Sequence, residues 1–270
     1  STSGAVTLSG VSSGSNREGV IRGIAQLPQT NLQTDAFGDV LDHAIATGSV
    51  LNSAILPSAS APWLSLFPNT TLGNQLKMVA RIIAGRSALN VKRQIFFVSV
   101  SGYDTHTAQV GDAADPANPL VGTHANLLNE LSESVGGFLA AIGQISADPT
   151  YGDPALPDSV IGFTASDFGR TLPTNGQGSD HGWGGHHIVF GGSGNPATGA
   201  VRGQRTFGTF PVLQVNGPDD TSTGRWIPST SVDEYSATLA RWFGVDNTHL
   251  PVVFPNLARF ANPDLGFARI

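Results

Sequence analysis

The sequence predicts an α/β domain with a mainly parallel central sheet flanked by helices. Three observations carry this expectation. The segment Gln94–Ser101 holds the near-unbroken apolar run Ile-Phe-Phe-Val-Ser-Val, which is the pattern of a strand buried on both faces of a parallel sheet. Strand-like runs alternate with amphipathic helical patterns along the chain, as α/β folding requires. No internal repeat or clear linker divides the sequence, so a single domain over residues 1–270 is expected.

Taken in order, Thr7–Ser9 reads as a short strand followed by a Gly/Ser/Asn-rich turn. From Thr34 to Ile45, Phe37, Val40, Leu41 and Ile45 recur at helical spacing. Leu72–Arg86 is a firmer helix, with Leu72, Leu76, Val79 and Ile83 on one face. After Gln94–Ser101 comes a loop over Gly102–Thr123, then a long helix to Ile145. Its apolar face is Leu128, Leu131, Val135, Phe138, Ile142 and Ile145. Val160–Thr164 and His187–Phe190 read as further strands on either side of a long glycine-rich loop, and Phe210–Val215 as a fourth strand. Ser231-x-x-Glu234 is a capping box that opens a helix through Tyr235, Leu239 and Trp242.

Composition excludes several function classes. The net charge is −6, with no basic footprint for nucleic acid or an anionic membrane surface. The chain has no cysteine, which removes thiolate metal sites, disulfides and cysteine nucleophiles. No apolar run approaches the length of a spanning helix. Low charge with abundant Gly, Ser, Thr and Asn suits an exported protein with long polar loops. The start Ser-Thr-Ser-Gly, without methionine, is expected of a processed or partial chain.

Potential chemistry concentrates at three places. The run Gln94–Ser101 leads directly into Gly102-Tyr103-Asp104-Thr105-His106, and ligands of open parallel sheets gather outside the carboxyl ends of strands. Asp104 and His106, two apart in an extended segment, point to one side and offer the oxygen and nitrogen that suit a borderline divalent ion. The bland alternative is an Asx-turn beside a surface histidine. Next, Ser166-Asp167-Phe168-Gly169-Arg170 brings a carboxylate and a planar guanidinium fork that matches phosphate or sulfate. A structural ion pair between Asp167 and Arg170 fits the spacing equally well. Third, Asp180-His181 sits among glycines, and His186-His187 follows. Adjacent side chains on a strand face opposite ways, so at most one of His186 and His187 joins a site on either face. His124, before the long helix, is a candidate cap or supporting donor to a metal-bound carboxylate. His43 and His249 default to surface or structural roles, and Trp183 to a pocket wall or the core. There is no Walker-type loop, no dinucleotide fingerprint and no His-Glu-x-x-His helix.

Asp104-Thr105-His106-Thr107-Ala108-Gln109 resembles the Asp-Thr-His-x-x-Gln motif of the bacterial DUF1501 proteins. Ser166–Thr171 is similar to their Ser-Glu-Phe-Gly-Arg-Thr motif, with Asp167 one methylene shorter than the usual glutamate. Ser179–Gly184 is similar to their Thr-Asp-His-Gly-Trp-Gly motif. The resemblance extends over most of the chain from about Thr7 onward. It implies an alkaline-phosphatase- and sulfatase-like α/β fold, incomplete at the N-terminus because nothing matches the Gly-Gly-x-Asp-type motif with which such proteins begin. It further implies that Asp104, His106, Asp180 and His181, then His187 or His186, are metal ligands, with Asp167 and Arg170 catalytic or substrate-orienting. The implied cofactor is a divalent metal, zinc first, with magnesium, calcium or manganese as alternatives.

The expected function is therefore exported, metal-dependent hydrolysis of phosphate or sulfate esters, in the periplasm or outside the cell. The implied partners are an anionic ester substrate and an N-terminal companion fragment of the same precursor. The missing N-terminal motif leaves the nucleophile unassigned, and is equally consistent with cleavage from a longer precursor, an incomplete chain or loss of catalysis. The rival expectation is a non-catalytic secreted scaffold or glycan-binding protein with the same fold. A sugar-processing enzyme has little support, since no spacing defines its carboxylate pair.

Overall fold

The computed structural model describes residues 14–270 except 29, 112–114, 116, 117 and 196. The strand expected at Thr7–Ser9 lies outside the described residues. The chain divides into two compact units, residues 1–99 with 133–152 and residues 100–132 with 153–270.

The first unit is helical. It contains α1 (Asn16–Ala25), α2 (Leu32–Ile55), α3 (Thr71–Ala84), the short α4 (Arg86–Leu89), and the later turns of α5 (Thr123–Ala147). Thr70 starts α3 by accepting a hydrogen bond from the Gly73 amide at its hydroxyl, which satisfies one of the first-turn donors that a helix cannot pair internally. Leu72, Leu76, Val79 and Ile83 are buried, as their spacing predicts. Trp63, Ile55, Ile142 and Ile145 are buried in the same unit, and truncating such a side chain to alanine costs about 2–5 kcal/mol. The buried Arg81 sends its guanidinium donors to the Ser58 hydroxyl and the Ile55 carbonyl. The helix expected over Thr34–Ile45 forms but runs on to Ile55, and Phe37 and Val40 of its predicted face are exposed.

The second unit carries the strands. In chain order these are β1 (Ile161–Phe163), β2 (Gly169–Thr174), β3 (Ser179–Gly182) and β4 (Val189–Gly191). β1 pairs antiparallel with β4, and β2 pairs antiparallel with β3. The helix α6 (Val232–Phe243) has both halves of the predicted capping box, with the Ser231 hydroxyl accepting from the Glu234 amide and the Glu234 carboxylate accepting from the Ser231 amide. It ends at Gly244, whose φ of +108° is open to glycine at little cost. Ala237 of α6 packs with Leu257 and with Leu250 of α7 (Leu250–Val253) in a small apolar core.

The mainly parallel, alkaline-phosphatase-like central sheet is not what the chain builds. Among the described residues there are seven α-helices and two small antiparallel two-stranded sheets. The Gln94–Ser101 run joins neither sheet, and its Ile95 and Phe97 are 79% and 90% exposed. At Ser99 both backbone groups bond to the Gln75 side-chain amide, with N to Oε1 at 2.9 Å and O to Nε2 at 2.7 Å. That amide stands in for a neighbouring strand. An apolar run of this kind records only that burial would be favourable; it does not supply the flanking strands that a parallel sheet needs. Phe210–Val215 forms no strand either, because the Val212 amide is taken by the Asp219 carboxylate and the Gln214 amide by the Val212 carbonyl. The expected loop between Thr164 and His187 is corrected as well, since it contains the β2–β3 hairpin.

Candidate metal centre

The hairpin is built by short-range polar chemistry. Its connection, 175–178, is held by Asn175, whose side-chain oxygen accepts from the amides of Gln177 and Gly178. Gly176 follows with a φ of +97°, a conformation that side chains other than glycine's adopt at a cost. Across the ladder Arg170 stands directly opposite His181, so both side chains leave the same face of the ribbon.

The other wall of the site is the 103–109 segment, and several contacts seat it on the hairpin. Asn175 Nδ2 donates to the His106 carbonyl at 3.1 Å, the Ser179 hydroxyl bonds to Gln109 Oε1 at 2.7 Å, and the Gln109 amide bonds to the Gln177 carbonyl at 3.3 Å. Gly178 lies so close that a Cβ there would sit 2.2 Å from the Thr105 carbonyl oxygen. Only a residue without a side chain lets the two backbones meet.

This seating brings Asp104, His106 and His181 together. Their ligand atoms all lie within 4.8 Å of one another, and they form the candidate metal-holding group among the described residues. His181 Nε2 is 2.7 Å and His106 Nε2 3.0 Å from the same oxygen, Asp104 Oδ1. The two imidazoles stack with centroids 5.0 Å apart, and Phe168 lies flat on His181 at 4.1 Å and 5°. The hydrogen bond from His181 holds the Asp104 carboxyl below the usual carboxylate range despite some loss of hydration, and the charges of His106, His181 and Arg170 act in the same direction. The side chains of Asp104, His106 and His181 are 59%, 45% and 46% exposed, so the centre is open to solvent.

The donor set suits a divalent ion. Two imidazole nitrogens and a carboxylate oxygen are the combination found in three-ligand zinc sites that keep an open position. Donor atoms around a tetrahedral zinc stand about 3.3 Å apart, given bonds of about 2.0 Å. The 2.7 and 3.0 Å separations here therefore need to widen by only a few tenths of an ångström.

The remaining predicted site residues are placed as follows. Asp180 lies beside the group, its Oδ1 3.4 Å from His106 Nδ1 and 3.4 Å from Asn175 Nδ2. Arg170 points its donors at the carbonyls of Ser179 and Tyr103 and at the Thr105 hydroxyl, with Nη2 3.8 Å from Asp104 and its guanidinium over the Phe168 ring. Asp167 is exposed, and no ion pair joins it to Arg170 among the described residues. His186 and His187 stand apart from the group, stacked on Phe210 and on Tyr235 respectively. His124 lies in the first turn of α5 with its ring edge-on to Tyr103. Trp183 is exposed, and its indole N–H donates to the Thr221 hydroxyl. His249 bonds locally to Asp246.

Phe168, Asn175 and Gly178 shape the site without having been singled out by sequence. The Asn175-Gly176 pair was a usable hairpin signal, but its flanks lack the alternating apolar residues that would have reinforced it. No family model, curated protein or solved structure matches the chain.

Proposed function

We propose that the protein is a divalent-metal-dependent hydrolase of phosphate or sulfate esters that works outside the cytoplasm. The observation that carries this reading is the convergence of Asp104, His106 and His181, contributed by two separate segments, on one small volume open to solvent. Zinc is the metal best matched to a mixed imidazole and carboxylate set. When bound, it supplies a Lewis acid for the ester oxygen and a means of ionising water near neutral pH. The resemblance of the Asp104, Ser166 and Ser179 motifs to DUF1501 proteins supports the anionic-ester substrate class, and the composition supports export.

The chain's own residues divide the remaining work. Asp104 neutralises charge and faces both imidazoles. Phe168 covers one face of His181 and fixes the ring plane. Arg170 contributes positive charge near the site, but its donors are engaged by carbonyls, so it acts by field and by holding the 103–105 backbone on the hairpin. Asp167, an exposed carboxylate two residues before β2, is the candidate for proton transfer.

A second reading is a non-catalytic secreted metal-binding protein. The open exposure of the three side chains and the engagement of Arg170 by backbone oxygens favour it. Chelator-stripped protein reloaded with zinc or manganese and assayed on aryl phosphates and aryl sulfates separates the two. Metal-dependent turnover that disappears in His181→Ala supports the hydrolase; stoichiometric metal binding without turnover supports the second reading.

A further inference from the structure

Both ring nitrogens of His106 face carboxylates. Nε2 is 3.0 Å from Asp104 Oδ1 and Nδ1 is 3.4 Å from Asp180 Oδ1. The two acids lie at opposite edges of one imidazole, and Asp180 stands outside the group whose ligand atoms come within 4.8 Å of one another. Asp180 is itself anchored, its amide donating to the Thr171 hydroxyl at 3.2 Å and its carboxylate receiving Asn175 Nδ2. Asn175 Nδ2 also reaches the His106 carbonyl at 3.1 Å, so one side chain ties the carboxylate to the residue whose ring it faces.

We propose that Asp180 is a positioning residue rather than a metal ligand: it holds the proton on His106 Nδ1 and thereby presents Nε2 to the ion. This rests on the metal-centre reading above. A ligating histidine whose second nitrogen donates to a carboxylate is fixed in tautomer and ring orientation and made more basic. The distances fit that role. A contact of 3.4 Å is long for a charge-assisted hydrogen bond of about 2.7–2.9 Å. The separation between Asp104 and His106 must widen to admit an ion, and a ring that moves away from Asp104 moves toward Asp180. The same displacement opens one contact and tightens the other.

The test is Co2+ binding to the full chain, followed by visible absorption, for the wild type and the variants Asp104→Ala, Asp180→Ala and Asp180→Asn. We expect Asp180→Ala to weaken Co2+ binding by about 10–100-fold. Asp180→Asn should lose less, because its amide oxygen still accepts from Nδ1. At saturating Co2+ both Asp180 variants should keep the wild-type band positions and intensities, whereas Asp104→Ala should shift them. If either Asp180 variant shifts the bands as Asp104→Ala does, Asp180 is a ligand and the proposal is overturned. Unchanged affinity in Asp180→Ala overturns it as well. Circular dichroism of the metal-free variants controls for folding, and if the alanine variant unfolds, the band positions of Asp180→Asn decide the question alone. A wild-type chain that binds no Co2+ removes the metal-centre reading itself and the positioning role with it.

Discussion

Two pairs of histidines lie in or beside the same glycine-rich ribbon and meet different fates. His106 and His181 share an oxygen of Asp104. His186 and His187 lie against Phe210 and Tyr235. The residue type is the same and the local composition is alike, so neither explains the difference. What separates the pairs is the neighbour that each backbone path delivers. The ribbon's β2–β3 turn docks on the 103–109 segment and brings a carboxylate with it. The chain after β3 runs instead into aromatic surroundings, where loss of solvent around the His187 ring, reinforced by the neighbouring His186, lowers its pKa. His181 becomes a ligand candidate through the acid that a distant segment places beside it, whereas His106 meets the same acid from two residues away in its own segment.

Substitution of the two pairs should break this comparison most sharply. His181→Ala is expected to reduce Zn2+ affinity by more than about 100-fold, beyond the upper range for supporting residues. His186→Ala and His187→Ala should each change it by less than about 2-fold, against the 10-fold or more seen when a supporting residue is lost. Isothermal titration with Zn2+ reads both. Equal losses in all three variants would erase the distinction.

The next largest effect should come from the docking itself. In Gly178→Ala the new methyl meets the Thr105 and His106 backbone, and overpacking of this kind costs about 1–3 kcal/mol. Urea unfolding should show that loss, together with weaker Zn2+ binding, because Asp104 and His106 move away from His181. Gly176→Ala, where no atom lies within 4 Å of the added methyl, should lower stability through its positive φ and leave metal affinity nearly unchanged.

Phe168→Leu tests the stack on His181. Offset aromatic contacts contribute about 0.5–1.5 kcal/mol beyond area burial, so a loss of Zn2+ affinity of up to about 10-fold is expected, with the donor set intact.

The smallest effect concerns pH. Because the folded-state pKa of His187 is lowered, the unfolded chain takes up its proton first as pH falls. The stabilising contribution is therefore complete above the unfolded value of about 6.5 and is lost progressively below it. His187→Asn should flatten the acid side of the urea-stability profile between pH 7 and 5 without altering Zn2+ affinity at neutral pH.

Legibility from sequence followed the range of the interactions. The helices α3 and α6 were readable because apolar spacing and the Ser231–Glu234 box act within a few residues, and both are present. Asp104, His106 and His181 were readable as chemistry, since acid and imidazole side chains at two glycine-bordered loops are hard to explain otherwise. The sheet was not readable. Ile95 and Phe97 promise burial, yet burial depends on partners that the run itself cannot specify. The separation of His186 and His187 from the acid was equally hidden, because it depends on Phe210 and Tyr235 arriving from later segments.

The most direct measurement is anomalous diffraction at the zinc edge from crystals grown with Zn2+. The account predicts one strong peak enclosed by Asp104, His106 and His181, with Asp180 on the far side of the His106 ring. A peak at His186 or His187, or none at the Asp104 group under saturating zinc, would contradict it.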